Sequence, residues 1–270
     1  MSNQFHVVVC ASVVPDPLQT LEPITGSTGP ALKNELMLPA ILDPWASHAL
    51  FEGANLVKKV PGSKLWLVSM APKAKLQQVM MTVAQKVPLQ LVALDGPSGG
   101  FVDSHQTAAA LAKAVAGIPD LDRSRLLLFG GWESASRSAG VTLQLVGEQL
   151  GIADQFQGVD SIKVNDDGSF EVLERVEGAR HQVSVCIAPP AVLGWATGSL
   201  GEPRNDPQVG MQNMRTIMPS LQKAIAAPIS PDGLQYSNVA TPKQQRETVI
   251  VKDKPTDEIA REIVQWITQE

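Results

Sequence analysis

Residues 126–142 read Leu126-Leu-Leu-Phe-Gly-Gly-Trp-Glu-Ser-Ala-Ser-Arg-Ser-Ala-Gly-Val-Thr142, and this stretch decides the fold. An apolar run of strand length opens into a loop of small residues, and a helical pattern starts at Val141. Strand, phosphate-sized loop and helix N-terminus in that order form the place where α/β proteins hold anions and nucleotides, because first-turn amides are unpaired and the helix dipole favours negative charge there.

The pattern recurs upstream. Residues 5–14 are a β-branched apolar run stopped by Pro15-Asp-Pro17, which predicts a buried strand and a loop. Asp43-Pro44 suits a helix start, with aspartate as N-cap and proline at the first helical position, ahead of an amphipathic helix over 46–59. A second strand over 64–70 ends in Ala71-Pro72, followed by a helix over 73–85, a strand over 90–94, a Gly/Pro/Ser loop over 96–100, an alanine-rich helix over 104–116, a strand over 125–130 and a helix over 141–150. Strands alternating with helices predict an α/β fold with a doubly wound, mostly parallel sheet, right-handed crossovers and ligands beyond the carboxyl ends of the strands.

After Gly151 the texture changes. Residues 161–164, 170–176 and 182–187, with Asn165-Asp-Asp-Gly168 as a turn, predict a β-hairpin and an antiparallel extension of the sheet. From 219 to 247 proline, glutamine and serine prevail without periodicity, and residues 256–267 form a closing amphipathic helix. The expected organisation is a nucleotide-binding α/β body with its β extension over 1–218 and a C-terminal arm and helix, suited to a partner surface, over 219–270.

Composition narrows the class. The 270 residues are 44% hydrophobic and 18% charged, enough for a sizeable core. A net charge of −5 and the lack of any Lys/Arg block argue against nucleic acid as a partner. Cys10 and Cys186 sit inside apolar runs, as small buried hydrophobes do, and the four scattered histidines show no metal-ligand spacing. No cationic start precedes a long apolar stretch, and no segment reaches the ~18 apolar residues of a membrane span. The expectation is a cytoplasmic or matrix-type protein without membrane insertion.

A resemblance follows from residues taken in order. Val9-Cys10-Ala-Ser-Val-Val-Pro15-Asp16, the Asp43-Pro44 helix start, Ser69-Met70-Ala-Pro72, the Gly131 to Gly140 loop, Gly201-Glu202-Pro203-Arg204 and a C-terminal Pro242-Lys-Gln-Gln-Arg246 before a strand-like Thr248-Val-Ile-Val251 and a helix span nearly the whole chain. Singly these motifs are weak; in this order the chain resembles the beta subunit of electron transfer flavoproteins, the FixA-like family. The resemblance implies a Rossmann-like domain that binds AMP structurally, paired with an alpha subunit that holds the redox FAD. It also implies electrons arriving from a flavin-dependent dehydrogenase of the acyl-CoA dehydrogenase kind and leaving to a quinone oxidoreductase.

By the same resemblance, the nucleotide-contacting places fall on Cys10; on Asp43, Pro44, Trp45 and Ala46; on Met70; and on Ser134, Ala135, Ser136, Arg137, Ser138, Ala139, Gly140, Val141 and Thr142. Three strand ends converge there, the loop supplies amides and hydroxyls, a phosphate fits on Ala139-Gly140-Val141, and Cys10 and Met70 offer soft apolar surface to an adenine. Leu200 falls where the family docks a leucine into its dehydrogenase partner, an apolar anchor if the loop is exposed.

The departures carry weight. Family members have an acidic Asp-Gly-Asp-Thr type loop and Asn-Pro; this chain has Glu133-Ser-Ala-Ser-Arg-Ser-Ala139 and Asp43-Pro44. Arg137 is either a solvated loop arginine or a phosphate partner that would suit a diphosphate such as FAD as well as AMP. The site's nucleotide is thus AMP, FAD, or none. The main alternative function is a beta subunit holding a second FAD in an NADH-oxidising complex, electron-bifurcating or not; a stress-protein-type nucleotide binder is a third. No catalytic residue and no metal ligand is identified, which predicts a carrier subunit rather than an enzyme by itself.

Overall fold

In the computed structural model, residues 4–27, 29–227, 229–230, 233–240, 248 and 250–268 are described. They divide into two compact units, Met1–Val239 and Ala240–Glu270.

The first unit begins with β1 (His6–Pro15), a hairpin of β2 (Pro23–Gly26) and β3 (Gly29–Leu32), and β4 (Ala40–Leu42), which returns antiparallel to β1. Then come α1 (Pro44–Lys59), β5 (Lys64–Ala71), α2 (Lys73–Val83), β6 (Gln90–Asp95), α3 (Ser104–Ala116), β7 (Leu126–Gly131) and α4 (Thr142–Gln149). β8 (Asp154–Val164), β9 (Phe170–Val176), β10 (Arg180–Cys186), β11 (Ala191–Trp195), α5 (Pro207–Gln222) and β12 (Ile225–Ala226) complete it. The large sheet runs β10-β9-β8-β11-β7-β1-β5-β6-β12. From β8 through to β12 neighbouring strands on this path are parallel; β9 and β10 pair antiparallel beyond β8. The doubly wound, mostly parallel sheet with an antiparallel extension is therefore the observed architecture.

Strand periodicity builds the two cores. Val7, Val9, Leu65, Leu67, Leu127 and Phe129 face one layer with α1, α2 and α5; Val8, Cys10, Trp66, Val68, Leu126 and Leu128 face the other with α3 and α4. Buried on both faces, these strands read as unbroken apolar runs. Each such leucine or valine contributes about 2 kcal/mol of burial. The helix after β1 covers one face and the helix after β7 the other, so the neighbouring strands β1 and β7 form the switch point where a crevice opens at their carboxyl ends.

Two segments depart from the sequence expectation. α5 runs through the position that separated body from arm, and β12 follows it, so the compact unit extends well past residue 218. Asp206 caps α5 through the amides of Gln208 and Val209, and Pro207 occupies its first turn. Pro219 lies only three residues before the end of α5, so the turn it disrupts is close to one that would fray anyway. β8 also starts at Asp154 rather than 161, because its first half pairs with β11, a partner 37 residues downstream as in Asp154 with Ala191.

The second unit contains α6 (Thr256–Thr268), which begins with Asp257 and Glu258 and carries exposed Ile263, Val264, Trp266 and Ile267. The expected strand over 248–251 is absent from its described residues Thr248, Ile250 and Val251, and Pro242 to Arg246 lie outside the described residues. Among the described residues no helix is long and apolar enough to cross a membrane.

Candidate functional site

The crevice at the β1/β7 switch point is a cleft of about 940 Å3, counting the part open to solvent. Of the residues singled out from sequence it gathers Cys10, Asp43, Ala46, Met70, Ser134, Ser136, Arg137, Ala139, Gly140, Val141 and Thr142 on its walls. Pro44, Trp45, Ala135 and Ser138 do not line it. Pro44 turns instead to an apolar hollow between α1 and α2. Ser138, in a left-handed turn at φ +53°, donates its hydroxyl to the carbonyl of Ser134 at 3.3 Å.

Asp43 fixes the cleft floor. One carboxylate oxygen accepts the amide of Trp45 at 3.1 Å and so caps α1; the other accepts the amide of Ala135 at 2.8 Å and ties the 132–141 loop to the helix. Its own amide donates to the carbonyl of Ser12 at 2.9 Å. Burial pushes this carboxyl up from its ordinary value, against the amides of Ala135, Ala46 and Trp45, which hold it down. Trp45 and Ala135 thus shape the site through backbone amides that serve Asp43.

The loop itself is closed by backbone bonds. Ser138 donates its amide to Ser134 at 2.8 Å, Trp132 donates to the carbonyl of Trp195 at 3.0 Å, and Gly140 turns the chain at φ +63° with the Trp132 carbonyl so close that a Cβ would stand 2.8 Å from it. α4 then starts with Val141 as N-cap, which has no side-chain oxygen to offer. α1, α3 and α5 are capped by Asp43, Asp103 and Asp206, and the first amide of α2 is held by Asp95 at 3.0 Å. Among these helices α4 alone has no first-turn amide bonded by a side chain, and Val141, Thr142 and Leu143 face the cleft.

Arg137 lines the cleft but is already engaged. Nη1 donates to the Val102 carbonyl at 2.9 Å and to the Tyr236 hydroxyl at 2.8 Å, and Nη2 donates to the Ser104 hydroxyl. It joins three segments rather than standing free in solvent. Cys10 and Met70 form the soft wall; burial pushes the Cys10 thiol up to about 12, so it is a neutral packing group without nucleophilic character.

Sequence reasoning missed part of the lining: Ser12 in the carboxyl-terminal half of β1, Pro97, Ser98, Gly99 and Val102 after β6, and Thr107 and Leu111 on α3. The signal was available, since the Gly/Pro/Ser loop follows a parallel strand at the end where ligands bind. Leu200 lies apart from the cleft, on the connection from β11 to α5, half-buried, with its amide donated to Glu52 at 3.1 Å. No protein-family model matches the chain, and no curated protein matches it.

Proposed function

We propose that the switch-point cleft binds AMP and that the chain is the beta subunit of an electron transfer flavoprotein, with the redox FAD in a partner alpha subunit. The observation that carries the binding half is the uncapped start of α4 beside Gly140, facing a cleft whose other wall is Cys10 and Met70. A phosphate suits the amides of Val141 to Leu143 and an adenine suits the sulfur-lined wall. The residues fit one phosphate better than two. Arg137, the cation on the wall, is bonded to Val102, Tyr236 and Ser104, while Glu133 and Asp43 bring carboxylates to the same cleft. This favours AMP over a second FAD, and hence the carrier reading over the NADH-oxidising one.

The carrier half rests on the ordered resemblance across the chain. In that reading the subunit contributes a rigid scaffold, a nucleotide that stabilises it, and the Leu200 loop as the docking point for a flavin-dependent dehydrogenase; electrons pass through the alpha-subunit FAD towards a quinone oxidoreductase. Purifying the chain with its alpha partner, denaturing it and quantifying released nucleotides tests both halves. One FAD and one AMP per heterodimer is the expected result; two FADs would favour the NADH-oxidising reading, and FAD alone would remove the nucleotide from this subunit.

A further inference from the structure

β6 and β7 are held apart in the sheet by β1 and β5, yet the loops that follow them meet. The loop over 96–103 walls the cleft through Gly99 and Val102, and the loop over 132–141 walls it through Ser136 and Gly140. To touch, they reach over the strands that bring Cys10 and Met70 to the same cleft. At the meeting point a Cβ on Gly100 would stand 3.0 Å from the Ser136 carbonyl. Arg137 spans the gap from the second loop to the first: its guanidinium donates to the Val102 carbonyl at 2.9 Å and to the Ser104 hydroxyl at the start of α3. A third segment locks the span. Beyond β12 the chain donates the Leu234 amide to Asp103 at 3.0 Å and sets Tyr236, its single tyrosine, edge-on to Phe101 with ring centroids 5.7 Å apart. The Tyr236 hydroxyl accepts from Arg137 Nη1 at 2.8 Å.

A bridge between two walls of a cleft decides how a ligand passes. The bonds of Arg137 are charge-assisted, so they hold. All three acceptors are neutral oxygens, so each bond can be exchanged for one to water without stranding a second charge in the protein. Tyr236 does not line the cleft, so it acts on how often the bridge opens rather than on what the cleft holds. A group that favours neither the free nor the occupied state leaves affinity alone, and a gate then changes the rates of binding and release together.

We propose that Arg137 and Tyr236 form the latch of the nucleotide cleft: AMP enters and leaves while the bridge between the 96–103 and 132–141 loops is open, and Tyr236 is the positioning residue that keeps Arg137 across it. This rests on the reading of the cleft as the AMP site. It also accounts for a cation on the cleft wall whose donors point to protein oxygens: the guanidinium is taken up in closure.

The test measures association and dissociation of radiolabelled AMP on the full chain stripped of nucleotide, with the latch loosened in one arm and locked in the other. Tyr236→Phe keeps the ring on Phe101 and removes one bond to Arg137; it is expected to raise both rate constants about fivefold, as one lost hydrogen bond would, with Kd changed by less than about twofold. In an Arg137→Ala background the same substitution should add nothing, because Tyr236 acts through Arg137. For the lock, a Cβ on Gly100 would lie 3.8 Å from the Ser136 Cβ, a separation that suits a disulfide. Oxidised Gly100→Cys/Ser136→Cys should exchange AMP at least about tenfold more slowly than the same protein reduced. If Tyr236→Phe raises the dissociation rate alone, Tyr236 holds the nucleotide and the latch is overturned while the AMP site stands. If the oxidised and reduced forms exchange AMP equally fast, the nucleotide passes elsewhere and the latch is again overturned. If the unaltered chain takes up no AMP, the reading of the cleft fails and the proposal goes with it.

Discussion

Two loops hang from the same helix and treat their backbone amides in opposite ways. The 132–141 loop is tied to α1 by Asp43 through one amide, that of Ala135, and then delivers the first turn of α4 to the cleft with no side chain upon it. The 196–206 connection is tied to α1 by Glu52 through the amides of Ser199 and Leu200, so the donors of that turn are satisfied within the protein. A loop that leaves donors open is prepared to take an anion; a loop whose donors are claimed is prepared only to present its side chains. Two buried acids, the α1 N-cap Asp43 and Glu52 nine positions on, thus tie two loops to one rigid body.

Gly140→Ala breaks the binding side of this comparison most severely. A non-glycine residue at φ +63° with its Cβ 2.8 Å from the Trp132 carbonyl forces the loop to shift, costing about 3 kcal/mol of stability. Chemical denaturation should record that loss, and the purified variant should carry no AMP. Unchanged stability would mean that the loop does not need this turn.

Asp43→Ala comes next, at about 2 kcal/mol for a lost helix cap and a lost loop tie, with faster hydrogen exchange at Trp45 and Ala135. Its pH dependence has a definite sign. Burial raises the Asp43 carboxyl in the folded state, so the native protein binds that proton more tightly than the unfolded chain does. Relative to Asp43→Asn, the wild type should gain stability as pH falls through the raised folded value towards the unfolded value of 3.8. The gain is complete below the unfolded value. A wild type that loses ground to Asp43→Asn over that interval would reverse the assignment.

Arg137→Ala sharpens the distinction between holding a loop and holding a ligand. Removing its bonds to Val102, Tyr236 and Ser104 should cost about 1 kcal/mol yet change AMP affinity by less than about threefold. A loss of a hundredfold or so in calorimetric titration would make Arg137 a phosphate ligand after all. The smallest effect belongs to Lys86→Ala, which removes the Glu202 pair, whose glutamate side chain is 67% exposed, and one bond to Pro203. Stability should fall by less than about 1 kcal/mol, and exchange should quicken near 202–203 without reaching Leu200.

Much of this was legible in the sequence where local chemistry and tertiary need coincide. Leu126 to Gly131 is apolar because the strand is buried on both faces, and Asp43-Pro44 starts a helix because the aspartate can cap it. Legibility failed where the partner lies far along the chain. The first half of β8 is polar enough to pass for a loop until β11 pairs with it, and β11 itself, Ala191–Trp195, is too short to stand out among irregular neighbours. α5 was obscured by its prolines, although Asp206-Pro207 carries the same start signal as Asp43-Pro44. In the site, residues that face the cleft through their own strand end or loop were found, whereas Arg137 was read as a choice between solvent and phosphate. Its partners Val102, Ser104 and Tyr236 lie 33 to 99 residues away, and no local spacing announces them.

The most direct measurement is a titration of the protein, stripped of any nucleotide, with AMP and, separately, with adenosine. If a phosphate sits on the unclaimed first turn of α4, AMP should bind at least about tenfold more tightly than adenosine, roughly 1.4 kcal/mol. Equal affinities, or no saturable binding of either, would contradict the account.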